Sequence, residues 1–375
     1  MDIDGMNQMA GQNHLRNIKI KGFKSIKECD LELDNINVLI GSNGAGKSNF
    51  ISAFNLLNSV LAQELSLYVG RHGMNSLLYN GRKSTDSILM EFYFDKNSYF
   101  FELEPTHDNR MIFKNECLMY DGRGNGYRNF PSGHCESQWK NGIKVDDIGY
   151  KEIVRFFEQR LCQVYHFHDT GLNSRIKTEH NISNSKMLQW DASNLAAFLY
   201  RLKSNHLSAY QEIVEAIRLI APFFKEFELE PNENNAEHIV LRWRQKGCED
   251  IFNASQLSDG TLRFMCLATL LLQPEELQPT TMIVDEPELG LHPFAIAVLA
   301  EMAKKTAMQK QIILSTQSVE LLNQFDVDDV IVVDRSENGS EFKRLEADEL
   351  ADWLENDYTL GDLWNKNILG GRLSR

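Results

Sequence analysis

The sequence predicts an α/β fold in which both ends of the chain build one mixed sheet flanked by helices, with an antiparallel β lobe and a helical insertion between them. Three observations carry this. A glycine-rich segment, residues 41–48, joins a short apolar strand to an amphipathic helix. From Ser255 onward helix and strand alternate, as they do where strands are linked by crossover helices. Residues 87–120 alternate apolar and polar side chains between turn-forming residues, the mark of meandering antiparallel strands.

Residues 1–14 are polar, carry Asp2 and Asp4, and lack the basic start and apolar run of a signal peptide, so they are expected to form a flexible leader. Ile18 and Ile20 alternate with polar residues, as do Cys29, Leu31 and Leu33, and residues 36–40 are a short apolar run, which together predict three strands. Phe50, Ile51, Phe54, Leu57 and Leu61 recur at helical spacing. Ile88, Met90, Phe92 and Phe94 alternate, and aromatic strands follow at 99–103 and 111–120. Residues 121–142 read as loop, 151–161 as helix, 162–167 as strand and 170–186 as a polar, weakly patterned stretch. Helices are predicted at 194–203 and 208–220, with the stripe Leu195, Phe198, Leu199 and Leu202 facing the core, and strands at 226–229 and 238–244. A helix after Gly260, a strand at 282–284, a helix after Pro293 and strands at 312–314 and 330–333 complete the pattern. The expected division is a leader 1–14, an N-terminal part of the main domain 15–169 that includes the antiparallel lobe, an insertion 170–250, and a C-terminal part 251–375.

Composition narrows the partners. A formal charge of -14 opposes long-range attraction to nucleic acid or anionic membranes. The six cysteines, Cys29, Cys117, Cys135, Cys162, Cys248 and Cys266, lie far apart with no C-x-x-C pair, which argues against a zinc ribbon or a disulfide-stapled domain and fits a reducing cytoplasm. The most apolar stretch, 264–272, is far short of the roughly 20 residues that span a bilayer.

Gly41, Ser42, Asn43, Gly44, Ala45, Gly46, Lys47 and Ser48 fit G-x-x-x-x-G-K-S at every fixed position, with Asn49 next. Such a loop turns its backbone N–H groups toward phosphate oxygens, Lys47 reaches the β- and γ-phosphates, and the Ser48 hydroxyl ligates Mg²⁺. Further on, the apolar run Met282, Ile283, Val284 ends in Asp285 and Glu286. Mg²⁺ prefers oxygen ligands and retained waters, which suits Asp285 beside Ser48. Glu286 can accept the proton of an attacking water. Two acids closing an apolar run are common, so this pair takes its meaning from Lys47. Gln256, Leu257, Ser258, Asp259, Gly260 and Thr261 precede a helix, so Ser258 and the Gly260 backbone can offer donors to a phosphate, although alone this is a capped helix. Residues 285–293, D-E-P-E-L-G-L-H-P, follow, and Ser315, Thr316, Gln317 and Ser318 end the next strand.

The order of these parts resembles the ABC-type ATPases, and within them the SMC, RecF and OLD group of P-loop NTPase heads. That group has a glycine loop (Walker A), an insertion, an LSGGQ-like signature, two acids (Walker B), a dimer-contact loop (the D-loop) and a switch residue. The resemblance covers residues 18–48 and 255–333, including the opening Ile18 to Ile26, and the middle only in architecture. It implies ATP and Mg²⁺ as cofactors, and a homodimer or higher homo-oligomer in which Ser258 and Gly260 of one copy contact the γ-phosphate held by the other. Two departures stand out: Asp259 replaces the second glycine of the signature, where it is expected to cap the following helix, and Gln317 replaces the switch histidine. An amide donates a hydrogen bond but cannot become cationic, so hydrolysis is expected to be slow or partner-stimulated. Gln163 is the candidate Mg²⁺-sensing glutamine, with Gln138 as the alternative.

Other constellations have plainer readings. His166, His168 and Asp169 form H-x-H-D, but without a second ligand cluster they are expected to line the nucleotide site or the joint between lobes rather than bind a metal. Arg242, Trp243, Arg244 and Lys246 could grip nucleic acid, yet a solvated strand face is the preferred reading. Trp353, Leu354, Tyr358, Leu360, Leu363 and Trp364 are apolar for a tail and are expected to dock on the same chain or a second copy. The long separation of Leu257 from Ser48 disfavours a transporter subunit, and the lack of heptads disfavours an SMC-type arm. The stretch after Glu286 is too short for the remaining strands plus a TOPRIM nuclease of typical size, about 100 residues. The expectation is therefore an ATPase controlling a separately encoded effector, in anti-phage defence or DNA repair, with a non-hydrolysing scaffold and a RecF-like DNA clamp as alternatives.

Overall fold

The computed structural model describes residues 14–120, 126–140, 156–158, 161–171, 173–232 and 234–371. The N-terminal half contains β1 (Leu15–Phe23), β2 (Ile26–Glu32), β3 (Ile36–Ile40), α1 (Lys47–Leu61), α2 (Leu65–His72), α3 (Met74–Leu77), β4 (Ile88–Phe94), β5 (Asn97–Pro105), β6 (Met111–Tyr120), β7 (Gly126–Asn129) and β8 (Cys162–Tyr165). The middle of the chain supplies β9 (His180–Asn181), α4 (Leu195–Asn205), α5 (Leu207–Ile220), β10 (Phe224–Glu228), β11 (His238–Ile239), β12 (Arg242–Gln245) and β13 (Ile251–Asn253). The C-terminal part follows with α6 (Asp259–Leu272), β14 (Thr281–Asp285), α7 (Pro293–Ala307), β15 (Gln311–Thr316), α8 (Val319–Leu322), β16 (Val330–Ser336), β17 (Gly339–Arg344), α9 (Ala351–Leu354) and α10 (Leu360–Asn365).

Two six-stranded sheets organise the molecule. The mixed sheet runs β17-β16-β3-β15-β14-β8, parallel except for the β16–β17 hairpin. Strands β3, β14 and β15 and the first half of β16 are buried on both faces, which explains their unbroken apolar runs. Side chains divide with the period of two: Leu39, Ile283, Ile313, Ile331 and Val333 pack with α1 and the other sheet, whereas Val38, Ile40, Met282, Val284, Ile312, Leu314, Val330 and Val332 pack with the helices behind. Each such buried side chain contributes about 1.5–3 kcal/mol of transfer free energy, so a one-residue slip of any strand would misplace the whole set.

The antiparallel sheet runs β2-β1-β4-β5-β6-β7. The lobe expected at residues 87–120 therefore also takes in the first two strands, because Ile18 and Ile20 pair with Phe92 and Met90. Of the helix expected at 151–161, only 156–158 and Leu161 are described, and 156–158 are helical. The strand expected at 238–244 splits: β11 pairs with β9, and β12 lies between β10 and β13. Residues 1–13 of the expected leader lie outside the described residues, while His14 is buried, with its amide donating to Asp95 Oδ2 at 3.0 Å. The apolar tail docks on its own chain, with Leu360, Leu363 and Trp364 in the core and Trp353 partly exposed against Tyr358. Among the described residues no helix is long and apolar enough to cross a membrane.

Parallel pairing places the C-terminal ends of β3, β15 and β14 side by side, with Ile40 opposite Thr316 and Asp285 opposite Ser315. Ligands of open α/β sheets bind outside this edge. The loop after β3 and the acids after β14 therefore meet there.

Candidate functional site

The loop between β3 and α1 is held open by its glycines. Gly44 and Gly46 have φ values of 82° and 127°, and a Cβ on Gly46 would lie 2.1 Å from Ser340 Oγ. The outside of the loop is braced by a buried chain in which Asn49 Nδ2 donates to Ser25 Oγ (2.7 Å), Ser25 pairs with Ser340 (2.7 Å), and Ser340 Oγ donates to the Ala45 carbonyl (2.6 Å). No side chain caps α1, so its first turn presents amides suited to an anion. Lys47 is buried and donates to the carbonyls of Gly41 (2.5 Å) and Ser42 (3.3 Å). Burial pushes its ammonium below the ordinary lysine range, and the carboxylates of Asp285, Glu286 and Glu288 oppose that shift.

A cavity of about 220 Å³ is lined by Ser42, Asn43, Gly44, Gly46, Lys47, Ser48, Asn49, Asp285, Glu286 and Gln317. Residues far apart in the chain thus share one wall of polar atoms. A larger groove of about 440 Å³ opens at the start of α5 and the ends of α6 and α7. Its Glu212 and Glu275 are already paired with Lys305 and Lys310, and it has no phosphate loop, so chemistry rather than size singles out the smaller cavity.

Glu286 has a φ of 44°, its N–H donates to the Ser315 carbonyl at 2.8 Å, and Gln317 Nε2 donates to its Oε1 at 2.8 Å. The two residues proposed for water activation and switching are thus in direct contact. The donor set also fits Mg²⁺: the Ser48 hydroxyl and the Asp285 carboxylate line the same cavity, and this ion takes one or two protein oxygens alongside water and phosphate. Among the described residues no group of three or more His, Cys, Asp or Glu is placed to hold a metal.

Gln163 is not brought to the cavity. It stands opposite Met282, upstream of the strand end, and its Nε2 donates to the Val164 carbonyl. Gln138 donates to the Glu136 carbonyl, away from the cavity lining. The position beside Asp285 is taken by two histidines: His166 Nδ1 lies 3.9 Å from Asp285 Oδ2, and His168 Nε2 donates to the Asp285 carbonyl at 2.9 Å. Burial pushes the His166 imidazole below its ordinary value, with Asp285 opposing.

Ser258 and Gly260 also lie outside the cavity. Ser258 is exposed and is itself the cap of α6, accepting from the Thr261 amide at 3.2 Å. Asp259, expected to be the cap, instead occupies the first turn, 3.8 Å from Lys177 Nζ. A Cβ on Gly260 would lie 2.3 Å from the Gly290 carbonyl, so the turn at 258–260 and the loop after Glu286 pack backbone against backbone. Buried Arg263 ties these parts together, its guanidinium donating to the carbonyls of Phe167, His168 and Leu289. Sequence reasoning passed over Arg263, Lys177 and Glu288, since each acts through partners distant in the chain. In the patch expected at 242–246, Arg244 pairs with Glu228 at 2.5 Å, Arg242 donates to the Glu230 carbonyl, and Trp243 is buried.

Comparison with known proteins points the same way. A family model described as AAA ATPase domain matches residues 14–211, more than half of the chain. A second AAA domain model, whose description refers to the AbiEii toxin and a type IV TA system, matches residues 164–323. Endonuclease GajA of Bacillus cereus (strain VD045) is 21% identical over 348 residues, covering 83% of this chain but 56% of that protein, so the chain spans little more than half the length of this relative. An Smc head bound to the C-winged helix domain of ScpA has a TM-score of 0.59 at 16% identity, covering 90% of this chain and 99% of that one. An Smc head with an extended coiled coil, bound to the C-terminal domain of ScpA derived from Pyrococcus furiosus, gives 0.56 at 15% identity, covering 92% and 99%. At these identities the solved structures establish the fold alone. The chain belongs to the AAA ATPase domain family, and its fold is that of the Smc heads.

Proposed function

We propose that this protein binds ATP with Mg²⁺ around Lys47, hydrolyses it, and uses the nucleotide to close two copies of itself in control of a separately encoded effector. The observation that carries this reading is the division of parts. One cavity gathers Lys47, Ser48, Asp285, Glu286 and Gln317, while the donors at Ser258 and Gly260 lie outside it on an exposed turn. A phosphate site whose last donors sit on another surface is completed by a second copy.

In this reading the amides of residues 43–49 and the Lys47 ammonium hold the triphosphate, so that charge developing on it is met by fixed donors. Ser48 and Asp285 would hold the magnesium, which would supply charge compensation to the triphosphate. Glu286 takes a proton from water as the water oxygen bonds to the γ-phosphorus and the bond to ADP breaks. Gln317 orients the Glu286 carboxylate through its amide. Because that amide stays neutral, turnover is slow until closure, or a partner, adds further donors. The likeness to an endonuclease supports a nuclease as effector, TOPRIM-type in our reading, with anti-phage defence or DNA repair in the cytoplasm as the setting. The burial of Trp243 and the pairing of Arg244 with Glu228 give a DNA clamp little support.

Glu286→Gln tests the proposal. It is expected to lower phosphate release by about 100-fold or more and to accumulate an ATP-bound dimer in light scattering. Retained hydrolysis would reject Glu286 as the proton acceptor. ATP-driven assembly of the wild type with no phosphate release would favour the scaffold, and failure of Ser258→Arg to block assembly would reject completion of the site by a second copy.

A further inference from the structure

Three residues past Asp285 the chain buries a carboxyl that the mechanism above leaves unused. Glu288 Oε1 accepts from Thr316 Oγ1 at 2.5 Å and from the Gln317 backbone N–H at 3.4 Å, while its Oε2 is buried without a hydrogen-bond partner among the described residues. Thr316 Oγ1 in turn accepts from the Ser318 N–H at 2.9 Å. One carboxyl oxygen and one hydroxyl therefore organise the whole turn from Thr316 to Ser318. That turn carries Gln317, whose side chain donates to Glu286.

A carboxyl with one oxygen desolvated and unpaired disfavours folding. An apolar residue of similar volume would avoid that penalty but would leave the Thr316 hydroxyl and the Gln317 amide unpaired. Glu286 adds a second need for support, since its φ of 44° is a backbone conformation that residues other than glycine rarely hold unaided. Burial pushes the Glu288 carboxyl above the usual carboxylate range, the bonds from Thr316 and Gln317 oppose this, and the charge of Glu286 adds to it. A neutral carboxyl still accepts both hydrogen bonds.

We propose that Glu288 is a positioning residue for hydrolysis: through Thr316 and the Gln317 amide it fixes the turn from which Gln317 reaches Glu286, and so holds the proton-accepting carboxylate in one orientation. This rests on the reading of Glu286 given above. It places Glu288 outside the cavity lining, behind the residues that would meet the nucleotide.

Glu288→Ala, Glu288→Gln and Thr316→Val, compared in steady-state ATPase and nucleotide-affinity measurements, test it. Glu288→Ala and Thr316→Val are expected to lower kcat by about 10-fold or more while the Kd for ATP shifts by less than about 3-fold, because the loss is one of orientation. Glu288→Gln keeps an acceptor for both donors and is expected to recover kcat to within about 3-fold. Wild-type kcat in Glu288→Ala would overturn the proposal, as would a Glu288→Gln as impaired as the alanine variant, or a parallel loss of kcat and ATP affinity in all three. Should Glu288→Ala fail to fold, Thr316→Val, which leaves the carboxyl in place, decides the matter. Glu286→Gln in the same assay separates two failures. Hydrolysis that survives it overturns the reading of Glu286, whereas loss there with none in Glu288→Ala overturns only the role of Glu288.

Discussion

In the proposed dimer, Asp259 puts a negative charge where an approaching γ-phosphate would meet the turn at Ser258, and Lys177 is the residue placed to answer it. The Lys177 side chain is only 7% exposed, donates to the Thr170 carbonyl at 2.6 Å and stands 3.8 Å from an Asp259 carboxylate that is 65% exposed. A carboxylate in a first helical turn is favoured by the helix dipole by about 0.3–1 kcal/mol, so Asp259 suits α6 even as it opposes a phosphate. The buried ammonium reconciles the two by keeping the turn near electroneutral. Lys177→Met is therefore expected to weaken ATP-dependent dimerisation by about 10-fold, and Asp259→Gly in the same chain to restore it, a coupling that a double-mutant cycle on the dimer dissociation constant measures. Additive effects of the two substitutions would remove the pairing from the account.

At the scale of elements, the C-terminal segment braces the phosphate loop from behind. α10 buries Leu363 and Trp364, the Gly361 amide donates to Asn323 Oδ1 at 2.7 Å, and the Gly371 carbonyl accepts from the Ser42 amide at 2.9 Å. Gly371 is at φ 76°, and a Cβ there would lie 2.9 Å from Val332 Cγ1 and 3.0 Å from the Trp364 ring. Gly371→Ala should dislodge this end of the tail, release Ser42, and weaken ATP binding by about 5–30-fold, equivalent to roughly 1–2 kcal/mol. Gly70→Ala in α2, where a Cβ meets nothing within 4 Å, is the control expected to leave affinity unchanged in the same titration. Equal affinities for both variants would show that the loop needs no support from the tail.

For the whole molecule, the formal charge of -14 sets the sign of its association with itself. Two copies carrying the same excess charge repel at long range, and salt screens that repulsion over a Debye length of about 10 Å at 0.1 M. The ATP-bound dimer of the Glu286→Gln variant is therefore expected to tighten by about 3-fold or more between 50 and 300 mM salt, read by sedimentation. Nucleic-acid binding by phosphate contacts would instead weaken steeply over the same range. Opposite salt responses thus separate self-association from a DNA clamp in one experiment.

The sequence by itself determined the phosphate loop, the acid pair, the strands that carry them and the α/β class, because each is written within a few neighbouring residues. Gly44, Gly46 and Lys47 need only their own backbone to shape a cradle, and the apolar runs at 36–40 and 282–284 need only the period of two to declare buried strands. The tertiary structure decided which side chains surround that cradle. Strand register put His166 and His168, rather than Gln163, at Asp285. Chain crossing brought Lys177 to Asp259, Glu288 to Thr316 and Gly371 to Ser42. Local patterns specify elements, but a contact between residues far apart in the chain depends on how whole sheets and helices pack, and no short stretch of sequence encodes that packing.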